Sequence, residues 1–211
     1  MYMKFVKRIF DIVFSIIGLF GVAVIFIPIS LLIYFEDKGP ILYNAPRMGK
    51  NGKIFKMYKL RSMKVNAPDI RLEDGSTYNS KDDPRVTRVG KFIRKTSIDE
   101  LPQIINVLIG EMSFIGPRPD LPEDIKAYSS DEIRKLSVRP GISGYSQAYF
   151  RNSIGAKEKH RNDVFYVDHV TFWLDTKIFF VTIINILLNK NVFVQENVVN
   201  IVETTSNSDT Q

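Results

Sequence analysis

Asp99 and Glu100 stand side by side in "TSIDELPQ" (96–103), with Ser97 before them and Pro102 after. Two adjacent carboxylates can divide the labour of phosphoryl chemistry. One can attack phosphorus as a nucleophile, and the two together can hold a hard cation through oxygen. The same eight residues admit a structural reading. Ser97 and Glu100 have the spacing of a capping box, and an acid in the first turn complements the helix dipole. Pro102 conflicts with a helix begun at Ser97, because it has no N–H to bond back to Ile98. A helix begun at Pro102 instead leaves both acids on its approach. From these residues alone, both alternatives stand.

The rest of the chain bounds the chemistry. Among its 211 residues there is no cysteine, and His160 and His169 are the only histidines. Disulfides, thiolate metal sites and a cysteine nucleophile are excluded, and two scattered histidines make no metal site. A carboxylate is then the best nucleophile available. The formal net charge of +6 implies an anionic partner: nucleic acid, an anionic membrane surface or a phosphorylated substrate. Several arginines stand on stiff backbone. "GPRPDLP" (116–122) holds Arg118 between two prolines, so its planar fork loses little entropy on clamping a phosphate. "RPGISGY" (139–145) places Arg139 beside glycines that let backbone N–H groups approach an anion. "RNS" (151–153) sets Arg151 next to an expected helix start. In "KIFKMYKLRSM" (53–63), Lys59 and Arg61 share the strand face of Phe55 and Met57, which aims two charges at one place. Asp163 and Tyr166 fall on one helix face. No Walker loop or nucleic-acid motif is present.

The elements that must position these groups begin with a membrane segment. Ile12 to Tyr34 is 23 residues without a charge, enough for a helix to cross about 30 Å of hydrocarbon. Both flanks are basic: Lys4, Lys7 and Arg8 precede it, and no acid interrupts Arg47 to Lys64. Basic flanks favour the cytoplasmic side, so both ends prefer the same face. A break near Pro28, eased by Gly18, Gly21 and Ser30, would make the helix re-entrant; a Pro-kinked span with the globular part outside is the alternative. Beyond it, Asn51-Gly52 marks a β-hairpin. Residues 64–84 read as a long polar loop, and 86–110 as helical with a stop at Gly110. Ser129 and Glu132 form a second capping box. A helix capped at Asn152 or Ser153 and reaching Val170 is expected, then a last, amphipathic helix over 175–189. The expected fold is α+β and mainly helical. It comprises a re-entrant membrane helix (1–36), a small globular catalytic domain with a short hairpin and membrane-surface helices (37–202), and a disordered tail (203–211).

Three segments, "KIFKMYKLRSM", "DPRVTRVGKFIRKTSIDELPQIINVLIGEMSFIGPRP" and "RPGISGYSQ", resemble the bacterial sugar transferase family, the small monotopic phosphoglycosyl transferases. The similarity runs from about Lys4 to Val192. The resemblance implies an enzyme that moves a sugar phosphate from a UDP-sugar to undecaprenyl phosphate and releases UMP. It implies two steps through a phosphosugar on Asp99, with Glu100 as the paired acid and Mg²⁺, or Mn²⁺, held by both. Arg94, Arg118 and Arg151 match positions tied to substrate phosphate or nucleotide, and Lys59 and Arg61 match the basic strand beside the site. The implied location is the bacterial inner membrane with the catalytic domain on the cytoplasmic face, feeding downstream glycosyltransferases. Departures from the family pattern fall at Tyr145 and Phe150 in "GYSQAYFRN" and at Ile27 before Pro28. Two other classes remain in view: a non-catalytic membrane-surface adaptor and a membrane-tethered nucleic-acid binder. An adaptor has no use for paired acids among arginines.

Overall fold

A computed structural model describes residues 2–72, 78, 80, 82–188 and 201–202. Tyr2–Val6 form a π-helical turn that leads into α1, the 31-residue helix Lys7–Asp37. At about 1.5 Å per residue, α1 is roughly 46 Å long. Most of its apolar side chains face outward, with Phe20 and Val24 each 75% exposed. The helix runs through Pro28 without interruption. The break expected there is therefore not present as a gap in the helix, although proline still removes one backbone bond.

The few inward side chains of α1 are mostly polar, and they attach it near both ends. At the N-terminal end, Arg8 donates to the carbonyls of Val107 (2.6 Å) and Leu108 (2.7 Å). Buried Asp11 accepts from Ser113 Oγ (3.0 Å) and Phe114 N (3.1 Å). Tyr2 and Lys7 both reach Asp175 Oδ2, at 2.6 and 2.5 Å. At the C-terminal end, Glu36 accepts from the backbone N–H groups of Arg88 (2.7 Å) and Val89 (3.2 Å). Asp37 takes both arms of the Arg61 fork at 2.5 Å. Between these anchors, Ile29 and Ile33 pack on Leu60 and Ile93.

β1 (Ala45–Met48) and β2 (Ile54–Met57) pair antiparallel, Ala45 opposite Met57 and Met48 opposite Ile54. Their connection carries Asn51 at φ 58° and Gly52 at φ 72°, the left-handed pair that the Asn-Gly signal predicts. A two-residue strand β3 (Arg71–Leu72) lies in the polar loop. The helical stretch expected over 86–110 is two helices. α2 (Arg88–Lys95) is capped by Thr87, whose side chain accepts from Gly90 N. α3 (Gln103–Ile109) ends at Gly110 with φ 94°. β4 (Ser113–Ile115) pairs in parallel with β5 (Gly141–Ser143), and Gly141 leaves room for the Gly116 backbone, 2.1 Å from where a Cβ would stand.

Ser129 and Glu132 exchange the expected reciprocal bonds at 2.8 and 3.3 Å, although the segment they open, Glu132–Ser137, is a 3-10 helix. α4 (Tyr145–Tyr149) precedes α5 (Ala156–Asp168). The start of α5 corrects the expected cap: Gly155, not Asn152 or Ser153, is the N-cap, and no side chain caps it. α6 (Phe172–Leu187) begins three residues earlier than expected because Thr171 caps it, accepting from Leu174 N. A strand β6 (Ile201–Val202) pairs antiparallel with β3. Asn189 and the expected tail, 203–211, lie outside the described residues. The fold is mainly helical with short two-stranded sheets, as expected. α6 stands beside the start of α1, Phe172 lying 5.8 Å from Phe10. Like α1 it presents bare apolar groups, including Trp173 at 77% exposure.

Gly90 tests the packing of α2. Alanine is about 1 kcal/mol better than glycine in a helix interior, yet a Cβ at Gly90 would stand 1.9 Å from Ser62 O. Gly90→Ala should therefore melt several degrees below wild type. An equal or higher melting temperature would refute this close approach.

Candidate active site

The acids sit in a 3-10 turn, Ile98–Glu100, between α2 and α3. Ser97 takes a left-handed conformation (φ 58°) and makes no side-chain cap bond. The capping box with Glu100 is therefore not formed. α3 starts at Gln103, after Pro102, so the reading that leaves both acids on the approach is the one realised. The left-handed conformation of Ser97 is one that L-residues adopt at a cost of the order of 1–3 kcal/mol.

Lys59 follows β2 and enters this turn. The next residue fixes its approach: Leu60 N donates to Asp99 O at 2.9 Å. Lys59 Nζ stands 2.7 Å from Asp99 Oδ2 and 3.5 Å from Glu100 Oε1. Arg118, 54% exposed on its proline-bounded loop, reaches Glu100 Oε1 from the other side at 3.6 Å. Asp99 is only 3% exposed. Burial alone would raise the Glu100 carboxyl, but Lys59 and Arg118 outweigh it and hold Glu100 below the ordinary carboxylate range.

Two more arginines complete the basic wall. Arg94, on the last turn of α2, donates from Nε to Ser62 Oγ at 2.8 Å. Burial lowers its pKa, while Asp99 and Asp83 support its charge. Arg151, left-handed at φ 50°, likewise has its pKa lowered by burial and supported by Glu100. Lys59, Arg94, Arg118 and Arg151 thus all act on the two acids.

Arg61 and Arg139 do not join them. Arg61 is buried, with its fork on Asp37, its Nε on Pro40 O (2.5 Å) and Nη1 also on Met63 O (3.1 Å). It fastens α1 to the strand. The even alternation of the strand suggested that it points with Lys59, but regular strand ends at Met57. Arg139 donates from Nε to Gly110 O at 2.8 Å, at the opposite end of α3 from the acids. Sequence reasoning missed Ser62, which orients Arg94, and Asp37, which occupies Arg61. A serine beside an arginine and an acid after an apolar run carry no spacing signal that would have found them.

Asp99 and Glu100 are the carboxylates available for a metal. Among the described residues no cluster of three or more His, Cys, Asp or Glu could hold an ion. Two carboxylates fit Mg²⁺ shared with substrate phosphates and do not fit a fully protein-held ion. The Lys59 ammonium, lying against both, supplies the positive charge between them.

A family model described as bacterial sugar transferase matches residues 2–189. The chain belongs to this family. It is 42% identical over 192 residues to the galactosyl transferase CpsE of Streptococcus agalactiae, covering 86% of this chain and 42% of that protein. It is 38% identical over 193 residues to the undecaprenyl-phosphate galactose phosphotransferase of Salmonella typhimurium, covering 85% and 40%. It is 36% identical over 195 residues to the exopolysaccharide production protein ExoY of Sinorhizobium fredii, covering 87% and 86%. This sugar transferase chain therefore spans about two fifths of the length of the first two relatives.

Lys59→Met removes the nearest cation from both acids. In the wild type, the depressed Glu100 pKa contributes stability above the unfolded carboxyl pKa, and that stability is lost as pH falls through the folded value. Without Lys59, burial is less opposed and the contribution shrinks. The melting-temperature gap between wild type and variant should be wide at pH 7 and narrower at pH 4. A gap that widens on acidification would contradict the assignment.

Proposed function

We propose that the chain transfers a sugar 1-phosphate from a UDP-sugar to undecaprenyl phosphate and releases UMP. The observation that carries this reading is the buried Asp99 carboxylate, 2.7 Å from Lys59 and beside a Glu100 that Lys59 and Arg118 share. Paired acids inside a wall of lysine and arginine suit a substrate rich in phosphate, and no such pair serves an adaptor. Relatives named for undecaprenyl-phosphate transfer support the same reading.

In the first step the Asp99 carboxylate attacks the phosphorus that bears the sugar. An oxygen–phosphorus bond forms, the bond to the bridging oxygen breaks, and UMP leaves with the electron pair. In the second step an oxygen of undecaprenyl phosphate attacks the same phosphorus and returns Asp99 as a carboxylate. Arg94, Arg118 and Arg151 orient and neutralise the phosphates, which costs no reorganisation because they are fixed in advance. Lys59, 2.7 Å from Asp99 Oδ2, holds the carboxylate in place. Glu100 accepts a proton or completes the cation site. Mg²⁺, or Mn²⁺, held by Asp99 and Glu100 with the substrate phosphates, would neutralise charge at the reacting phosphorus.

The same reading makes α1 re-entrant in the cytoplasmic face of the inner membrane, its turn a bend within the continuous helix and not the gap expected at Pro28. Its two ends bond to one body, Arg8 and Asp11 to residues 107–114 and Glu36 and Asp37 to residues 61 and 88–89. A span would carry those ends to opposite sides of the bilayer. The bare apolar groups of α1 and α6 then face lipid, and downstream glycosyltransferases meet the product at that surface.

Asp99→Asn should fold and bind membrane yet lose nearly all turnover. Wild type given UDP-sugar and Mg²⁺ alone should release up to one UMP per site and carry a phosphosugar on Asp99. Full activity in the variant would eliminate the covalent route. A panel of UDP-sugars, with UMP release as the signal, would identify the donor.

The absence of native cysteine permits a clean topology test. Cysteines at Met3 and Asn51 should both resist an impermeant thiol reagent in intact cells and both react after lysis. Labelling of one alone in intact cells would establish a span.

A further inference from the structure

Away from the acids, the structure buries a second charged cluster. Lys135, in the 3-10 segment Glu132–Ser137, is 3% exposed. Its Nζ donates to Asp120 Oδ2 at 2.5 Å and to Asp163 Oδ2 at 2.8 Å, and lies 3.1 Å from His160 Nδ1. Tyr128 OH also donates to Asp120 Oδ2. An ammonium has three donors and no acceptor, so His160 Nδ1 must be unprotonated to take the third. None of these groups touches Asp99 or Glu100.

Their connection to the site is the Arg118 loop. Its upstream end is held where Gly116 N donates to Ser143 O and Gly141 N donates to Pro117 O, both at 2.8 Å. Its downstream end is Asp120, whose carbonyl accepts from Met48 N at 2.9 Å and whose carboxylate lies on Lys135. Pro117 and Pro119 stiffen what lies between. The orientation of Arg118 toward Glu100 therefore depends on where Asp120 is held.

Asp163 is the unusual member. It is 2% exposed, and its Oδ1 has no hydrogen-bond partner among the described residues. A buried carboxylate with an unused oxygen is an expensive way to satisfy one lysine. Burial favours the neutral carboxyl here even against Lys135, so stability alone does not account for the charge.

We propose that Lys135 and the ionised Asp163 form a clamp that positions Arg118 by fixing Asp120, and that protonation of Asp163 releases it. This rests on the transferase reading for its effect on the reaction, though not for the clamp itself. The groups facing Asp163 are Lys135 and Asp120 with Arg118 beyond them, and those facing Lys135 also include His160 and Tyr128. Asp124 and Glu132 act on His160 from the far side. Burial pushes the Asp163 carboxyl up to about 6, against the opposing pull of Lys135. Burial and Lys135 push His160 down, which keeps the imidazole neutral as an acceptor. As pH falls through about 6, Asp163 takes a proton. Lys135 then loses its ionic tie to α5, so the Lys135–Asp120 pair is no longer fixed to that helix, and α5 no longer attracts the Arg118 charge. Because the folded pKa of Asp163 lies above its unfolded value, the same protonation stabilises the fold between about pH 6 and pH 4. Fold stability and loop placement thus respond to acid in opposite directions, as far as this group governs them.

The test is Asp163→Asn in the full chain in detergent or nanodisc. At pH 7.5 the melting temperature should equal or exceed wild type, while hydrogen exchange of residues 116–121 should speed up. With UDP-sugar, kcat/KM should fall roughly fivefold, about 1 kcal/mol, mainly through KM, because Arg118 meets the phosphate. Wild-type kcat/KM should decline as pH drops through about 6, and that decline should be absent in the variant. Asp163→Glu should restore part of the acid limb. Unchanged exchange at 116–121, or an acid limb that survives Asp163→Asn, would overturn the clamp. Exchange does not depend on the reaction, so a wild type that releases no UMP would defeat the transferase reading and leave the clamp to be judged on exchange.

Discussion

Attachment of α1 near both ends to one globular body is the constraint on which the rest of the structure depends. An apolar helix of this length would be an independent membrane element if its inward residues were also apolar. Instead Arg8 and Asp11 bind the far end of α3 and the start of β4, while Glu36 and Asp37 bind α2 and Arg61. These polar groups of an otherwise apolar helix find their partners within the protein. The helix that carries Arg94 and the segment that carries Lys59 are both located by the last turn of α1. The turn that carries the acids lies between the two regions that α1 holds.

Within that frame, the site is an exercise in compensated charge. Asp99 and Glu100 would repel each other if buried alone, and Lys59 stands against both. Arg118, Arg94 and Arg151 add more positive charge than the two acids need, and the surplus suits phosphate. Ser97 and Arg151 flank this arrangement in left-handed conformations. Strain of that kind persists where the surrounding structure fixes it, and the same fixing keeps the charged groups from relaxing onto one another.

Much of this was legible in the sequence, for particular reasons. The Asn51-Gly52 turn, the Gly110 stop and the bare apolar helix are local signals that chemistry dictates within a few residues. The conflict between Ser97 and Pro102 was also visible, and the left-handed Ser97 resolves it in favour of acids outside the helix. What the sequence did not disclose was long-range choice of partner. Arg61 and Lys59 look alike on the strand, yet Asp37, 24 residues away, takes one and the acid turn takes the other. Arg139 resembles Arg118 in its stiff setting, yet it finds a helix carbonyl instead of an acid. Proline at position 28 signalled a break, yet the helix runs on through it to Asp37, with Ile29 and Ile33 packed against Leu60 and Ile93.

The pairing of Tyr2 and Lys7 with Asp175 also bears on how the molecule is made. The chain emerges from the ribosome in order, at about 5–20 residues per second. Residues 2–7 therefore wait on the order of ten to thirty seconds before Asp175 exists to receive them. Arg8 and Asp11 are uncompensated only until residues 107–114 follow, whereas Tyr2 and Lys7 stay so until Asp175 appears. Nascent chains of this protein therefore carry α1 before the body that anchors it is complete. Assembly consequently proceeds from α1 toward late closure by α6, an order imposed by long-range contacts and not by local helix strength.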